Sequence, residues 1–287
     1  MFGGDLLTRE IEFTRCVLDE LSGVNWAKPL VQEIHRRGGI VAKNGPMLFE
    51  ARVAYALHQA NINPIYEYKA GVGESSVDFY LLGPPKFLVE IVSLQESQGV
   101  RNATWKQDGF IRFCLSDHNL YEEGKDRQTE VAQLLYAQWK LIEKVYAKGR
   151  PIKFPIPTKN VYHVILADMR GYLGGAGLFG SSEDFIEIVY GGACLLSQTR
   201  WRPHGIPQKD GTRSFLTGLF QTNKEYPSLG GRYLRQRVHL IGFVVERAYQ
   251  PDEIGTKAST CFFSNPYLLK PMEASELVNT FPLAQDD

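Results

Sequence analysis

Three acidic residues stand where the sequence otherwise predicts buried, apolar structure. Glu50 lies in the helix-like segment GPMLFEARVAYALHQ, Asp78 in the strand-like run VDFYLL, and Glu90 in the run KFLVEIVSL. An ionised carboxylate within an apolar strand costs several kcal/mol of desolvation if it has no partner. Two on adjacent strands also repel each other. A divalent cation such as Mg²⁺ offsets both effects, because it prefers oxygen ligands that converge on one point.

Taken singly, each of these acids is better explained by exposure to solvent or by a neighbouring arginine. Their occurrence together, in the buried helix and in the second and third of the strands that follow it, is what favours a common site. The strand period supports the pairing, because residues 88, 90 and 92 share one face, so Glu90 and Val92 point the same way.

The elements that must position these acids follow from hydrophobic spacing. Apolar residues at helical intervals predict two helical pieces over residues 5–37, broken at Ser22-Gly23, and a buried helix that begins near Pro46. Three strands are predicted at 65–69, 77–82 and 86–94. The turn-rich segments GVGESS and GPP between them favour an antiparallel meander.

Downstream, the pattern predicts a helix from about Lys125 to Lys148 and a strand over 161–167, whose apolar run VYHVILA is typical of a central strand buried on both faces. Residues 97–120 are predicted to be irregular, and 197–236 to form a long excursion. Phe185–Val189 is a strand or a short helix. VHLIGFVVE (238–246) and TCFFS (260–264) are predicted as strands.

The order of these motifs resembles that of the PD-(D/E)XK nuclease superfamily. The matching segments are FEARVAYAL, then SSVDFYLL, and, eleven residues after the aspartate, VEIVSL, within residues 45–168. The resemblance implies an α/β fold with a mixed central sheet flanked by helices, built on a restriction-endonuclease-like αβββαβ core. N-terminal helices (1–40) and a C-terminal extension with added β-structure (169–287) are expected to pack on the core (41–168) as one domain.

The resemblance also implies function. Asp78 and Glu90 would hold Mg²⁺ or Mn²⁺, Glu50 would complete or orient the site, and the reaction would be hydrolysis of phosphodiester bonds in DNA or, less often, RNA. Position 92 is valine where the family has its catalytic lysine. An ammonium that stabilises the transition-state phosphate is worth on the order of 10² in rate.

The chain is therefore either inactive or uses a group that has migrated. Lys69, at the end of the first strand, is the first candidate for that group. Lys125 and Gln128 at the start of the next helix, and Ser93 and Gln95 just past Glu90, are further candidates. Each of them, taken alone, is better explained as an ordinary surface residue.

A second functional signal is a basic segment at 200–237, with eight lysines or arginines against two acids and with aromatic residues between them. Arginine forks on phosphates and aromatic rings on exposed bases are common tools for binding nucleic acid. A solvated loop or a surface for a protein partner would give the same composition. The arginines predicted to contact nucleic acid are Arg200, Arg202, Arg213, Arg232, Arg235 and Arg237.

Composition excludes other classes. The 287 residues carry 32 basic and 32 acidic side chains, so nucleic-acid binding cannot be inferred from net charge and must come from a local patch. The four cysteines and six histidines are scattered without zinc-ligand or disulfide spacing. No apolar run is long enough to cross a membrane, and acidic residues come too early for a secretory signal. We expect a cytoplasmic protein, and a homodimer is left open.

The remaining motifs add little. Gly175, Gly177 and Gly180 have GxGxxG spacing, but no strand-glycine-helix unit surrounds them, so a loop is the better interpretation. Neither a nucleophile elbow nor a P-loop is present. The alternative to a nuclease is a catalytically inactive module of the same fold that binds nucleic acid or a protein partner.

Overall fold

The hydrophobic runs between residues 65 and 94 form three consecutive strands of one sheet. In the computed structural model they are β1 (Ile65–Tyr68), β2 (Val77–Leu81) and β3 (Lys86–Ser93), each antiparallel to the next. The predicted meander is therefore confirmed. The structure describes residues 3–71, 73–94, 104–107, 110–113, 129–148, 150, 152–169, 182–198, 203, 205–207, 212–245 and 259–283.

Two short hairpins lie outside this sheet. One consists of β4 (Thr104–Gln107) and β5 (Phe110–Phe113), so the prediction that residues 97–120 are irregular is wrong there. The next strand in the chain, β6 (Val161–Asp168), belongs to the main sheet. In the second hairpin, β7 (Gly205–Pro207) pairs with β8 (Arg213–Phe215). Both hairpins fall in polar stretches, where strand alternation is hard to recognise.

The main sheet grows from β3 by parallel pairing. Strand β6 lies parallel to β3, β9 (Leu240–Val244) parallel to β6, and β10 (Thr260–Ser264) antiparallel to β9. The strand order is β1-β2-β3-β6-β9-β10. The chain is thus α/β, with a mixed six-stranded sheet. Strand β6 is central and largely buried, as its apolar run predicts.

Helices cover both faces of the sheet. The odd-numbered residues of β3, Phe87, Val89 and Ile91, pack in one cluster, and Leu88 and Val92 pack in the other. The described helices are α1 (Gly3–Ser22), α2 (Lys28–Arg36), α3 (Gly45–Gln59), α4 (Thr129–Val145), α5 (Ser182–Tyr190), α6 (Gly192–Gln198), α7 (Leu229–Arg237) and α8 (Pro271–Thr280). Helices α1, α2, α3 and α8 pack on the first cluster, and α4, α5 and α7 on the second.

The helix predictions agree with this arrangement in most places. The break at Ser22-Gly23 separates α1 from α2, α3 begins next to Pro46, and Phe185–Val189 belongs to a helix. Three helices, α6, α7 and α8, are not predicted from the sequence. Helix α7 lies inside the predicted excursion, where its glycines and arginines hide the apolar spacing, and α8 follows the last predicted strand. Within the described residues, no helix is both long and apolar enough to span a membrane.

Candidate active site

Asp78 and Glu90 are cross-strand neighbours. The register of β2 and β3 pairs Phe79 with Val89 and Tyr80 with Leu88, and one more step places Asp78 opposite Glu90. Asp78 Oδ2 accepts a hydrogen bond of 2.6 Å from the backbone N–H of Ile91. The structure therefore brings together the two residues predicted as metal ligands.

The side chain of Glu90 points toward helix α4. Leu88 and Val92, two residues away on either side, both belong to the cluster that α4 covers. Glu90 is 0% exposed, and its Oε1 receives two ammonium groups, Lys144 Nζ at 2.9 Å and Lys153 Nζ at 2.5 Å. Its Oε2 is buried and has no hydrogen-bond partner among the described residues. One oxygen is thus neutralised while the other is left for a further ligand.

The charges in this cluster shift one another's titration. Burial and then the charge of Asp78 raise the pKa of Glu90 to about 7, although Lys144 and Lys153 act in the opposite direction. Burial alone would lower the pKa of Lys144, but the carboxylates of Glu90, Asp78 and Glu50 together raise it. Lys144 is therefore a permanent cation that faces all three acids.

Glu50 joins the site from the other layer. It lies on α3, half-buried, and Tyr66 on β1 is its hydrogen-bond partner. Burial and then the charge of Asp78 raise the pKa of Glu50 to about 8, more than Tyr66 and Lys144 lower it. Near neutral pH Glu50 therefore holds a proton, and Glu90 gains its negative charge as the pH rises through about 7.

Val92 is buried in the core on the face of Glu90, as the strand period predicts. The structure does not bring Lys69 to this site. The Lys69 side chain is 67% exposed and forms an ion pair with Glu74, itself on the surface. Ser93, a further candidate for the migrated group, donates from its Oγ to Asp168 Oδ2 over 3.3 Å. The candidates Lys125, Gln128 and Gln95 lie outside the described residues, as does the glycine motif at 175–180.

Lys144 and Lys153 are the site residues that the sequence does not single out. Lys144 is three residues after Leu141 and seven after Ala137, so it lies at the edge of the buried face of α4. A lysine in that position is the one signal that the sequence offers. Lys153 belongs to the Pro-rich connector before β6, and its approach to Glu90 depends on tertiary packing alone.

The donor set can be compared with what Mg²⁺ needs. Within the described residues, no group of three or more His, Cys, Asp or Glu side chains has the geometry of a metal site. Mg²⁺, however, is commonly held by one or two carboxylates together with waters and substrate phosphates. Asp78 and Glu90, whose Oε2 has no hydrogen-bond partner in the described part of the chain, supply such a pair of carboxylates, so the residues present fit this ion.

The basic segment 200–237 has a mixed role. Arg235 is 7% exposed, and its guanidinium donates to the carbonyls of Gly218, Leu219 and Lys224 at 2.6–2.8 Å. Its assignment as a nucleic-acid contact is corrected, because the side chain is already committed to the protein interior. Arg232 is exposed and pairs with Glu225.

The rest of the arginines in this segment fall into two groups. The guanidinium of Arg237 lies 4.6 Å from the centroid of the Tyr233 ring. Arg200 and Arg202 lie outside the described residues, and so does the side chain of Arg213. The prediction that these residues contact nucleic acid stays a prediction.

A cleft of about 960 Å³ lies at the opposite edge of the sheet, beside β10 and α8. The residues that line it are uncharged, among them Tyr190, Cys194, Asn223 and Thr260. The acids and lysines of the site do not reach it.

Comparison of the chain with protein-family models, with curated proteins and with solved structures finds no match. The sheet and the geometry around Glu90 therefore carry the functional conclusion.

Proposed function

We propose that the protein is a metal-dependent nuclease of the PD-(D/E)XK type that hydrolyses phosphodiester bonds of DNA or RNA. The observation that carries the proposal is the environment of Glu90: a buried carboxylate opposite Asp78, with two ammonium groups on one oxygen and a second oxygen that lacks a partner among the described residues. The element order α3-β1-β2-β3-α4-β6, in which the β4–β5 hairpin is inserted between β3 and α4, supports a restriction-endonuclease-like core.

Each residue has a role in this proposal. Asp78 and Glu90 would hold Mg²⁺ or Mn²⁺, which when bound activates a water and neutralises charge on the phosphate. Lys144 would take the role of the lysine that position 92 lacks, since its ammonium reaches Glu90 from α4. Its ammonium would stabilise the attacking oxygen and the phosphate in the transition state. Glu50, protonated near neutral pH, would donate a hydrogen bond within the site.

The test is incubation of the purified chain with linear, circular and single-stranded DNA and with RNA, in the presence of Mg²⁺ or Mn²⁺. We expect cleavage by the parent and none by Asp78→Ala. The control is Glu74→Ala, which removes an exposed carboxylate from the turn between β1 and β2 and should leave cleavage unchanged. If the folded parent cleaves no substrate with either ion, the proposal is wrong.

A second candidate is a catalytically inactive member of the same fold that binds nucleic acid. It is favoured by the charge balance around Glu90, because the ammonium groups of Lys144 and Lys153 already pair with this carboxylate without any metal. Tight binding of nucleic acid without cleavage would support this second function. In that case Asp78→Ala would change neither binding nor any metal response.

A further inference from the structure

One face of α4 carries a row of side chains that extends from the protein surface to Glu90. Tyr136, Lys140 and Lys144 are spaced four residues apart, so they follow one another along a single side of the helix, about 6 Å per step. At the end of this row Lys144 binds Glu90. The row therefore connects the outside of the helix with the proposed cleavage site.

Aromatic surface accompanies the row. Trp139 is 49% exposed, and the Lys140 ammonium lies 4.2 Å from the centroid of its ring and 5.7 Å from that of Tyr136. The rings of Tyr136 and Trp139 have centroids 5.7 Å apart. A half-exposed tryptophan beside a lysine is the arrangement on which unpaired bases stack while phosphates contact the ammonium.

The same region is strongly basic. Between residues 140 and 153 the sequence holds five lysines or arginines and a single acid, Glu143, which pairs with Lys140 at 3.0 Å. Lys148 and Arg150 are exposed. This positive surface adjoins the carboxylates. It is therefore electrostatically complementary to a polyanion that extends along α4 as far as the site.

We infer that Tyr136, Trp139 and Lys140 form a platform that binds single-stranded nucleic acid next to the cleavage site. This inference rests on the proposed function, because only a nuclease would cleave the strand that the platform binds. A single strand is specified because bases stacked inside a duplex present only their edges, whereas a stacking platform needs an unpaired ring. The arginines of 200–237 are not required for this contact.

Binding is measured on the full chain in EDTA, with a labelled single-stranded oligonucleotide and with a duplex of the same length. We expect Trp139→Ala to weaken single-strand binding by about 5- to 150-fold, the range for loss of one stacked base. Lys140→Ala should weaken it and lower the log–log salt slope by about 0.7, the value for one phosphate of a single strand. Duplex binding should change less in both variants.

Lys28→Ala is the matched control, because it removes an exposed lysine on α2, in the layer across the sheet, and should bind as the parent does. Circular dichroism of each variant verifies that it is folded. The inference is overturned if the parent binds no single strand, prefers duplex, or is indifferent to both Trp139→Ala and Lys140→Ala.

Cleavage with Mg²⁺, assayed separately, distinguishes the two proposals. A chain that binds through Trp139 and never cleaves keeps the platform and refutes the nuclease. A chain that cleaves with unchanged KM in Trp139→Ala keeps the nuclease and refutes the platform.

Discussion

At the scale of single residues, the chemistry of the site depends on which acids keep their protons. Glu50 and Glu90 have raised pKa values, about 8 and about 7, because both are buried beside Asp78. Glu90 has direct ammonium partners, and they hold its pKa below that of Glu50. The three acids are thus not equivalent: Glu50 is a neutral hydrogen-bonding group near pH 7, while Glu90 acquires its charge as the pH rises through neutrality.

Glu50 should therefore make the metal-free protein less stable as the pH rises. Its pKa is near 4.5 when unfolded and about 8 when folded, so between these values the native state binds more protons. Stability must then fall with rising pH through this window. Glu50→Gln removes this contribution while an amide can still accept from Tyr66. At pH 8.5 we expect the free energy of unfolding of the variant to exceed that of the parent by more than about 1 kcal/mol, since one pKa unit corresponds to about 1.4 kcal/mol.

The measurement is urea unfolding of parent and variant in EDTA at about pH 5 and about pH 8.5. These values lie near the lower and upper ends of the range between the unfolded and folded pKa of Glu50. The difference between the two proteins should appear at the higher pH and shrink at the lower one. Equal gains at both values would mean that Glu50 is not the group that titrates.

The sequence predicts part of this site and misses the rest for a physical reason. The pairing of Asp78 with Glu90 follows from strand period and from the short turn between β2 and β3, which are local. The arrival of Lys144 and Lys153 at Glu90 spans 54 and 63 residues of chain. No local pattern encodes such a contact, so the sequence favours Lys69 at the end of β1, which does not lie at Glu90.

At the scale of elements, hydrogen bonds from Arg235 connect helix α7 to residues 218–224, which precede it. Its guanidinium satisfies the carbonyls of Gly218, Leu219 and Lys224, and it approaches the hydroxyl of Tyr267 at 3.3 Å. Burial lowers the pKa of Arg235, the effect expected when an arginine leaves water. A basic segment in the sequence thus contains at least one arginine whose role is structural.

Arg235→Ala should destabilise the fold by about 2 kcal/mol or more, because it leaves the carbonyls of Leu219 and Lys224 without this donor, at about 1–3 kcal/mol for each one that stays buried. The Gly218 carbonyl keeps a hydrogen bond from the backbone N–H of Gln221. Arg232→Ala is the matched control on the same helix. It breaks only a surface ion pair and should cost less than about 1 kcal/mol. Chemical denaturation measures both. Equal losses would contradict the structural role of Arg235.

Element prediction succeeds where the hydrophobic period is strong and fails where polar residues dominate. Strands β1 to β3 and β6 alternate or run apolar over several residues, and their boundaries agree with the structure to within about one residue. Helix α7 begins Leu229-Gly230-Gly231, and its glycines are required by packing rather than by helix propensity. A Cβ at Gly231 would lie 2.0 Å from the Tyr226 ring. Such a requirement comes from the neighbouring segment and leaves no mark in the local pattern.

At the scale of the whole molecule, the sheet separates two apolar clusters, and the acids lie where one of them is interrupted. Most of the residues of β3 are core, and Glu90 is the charged one among them that is fully buried. A protein selected for stability alone would gain from an apolar residue there, since replacing a buried ion cluster by well-packed apolar groups is often neutral or stabilising. The presence of such a cluster next to a basic and aromatic helix face favours a functional role for this side of the sheet.

The measurement that tests this account most directly is the cleavage rate of Lys144→Met beside that of Lys69→Met, with Mg²⁺ and a nucleic acid that the parent cleaves. Both changes keep a long, unbranched side chain and remove its charge. Since Lys144 binds Glu90 and Lys69 pairs with Glu74, we expect Lys144→Met to lower kcat on the order of 10²-fold and Lys69→Met to leave it unchanged. Loss of cleavage in Lys69→Met, with a folded Lys144→Met that cleaves as the parent does, would contradict the assignment.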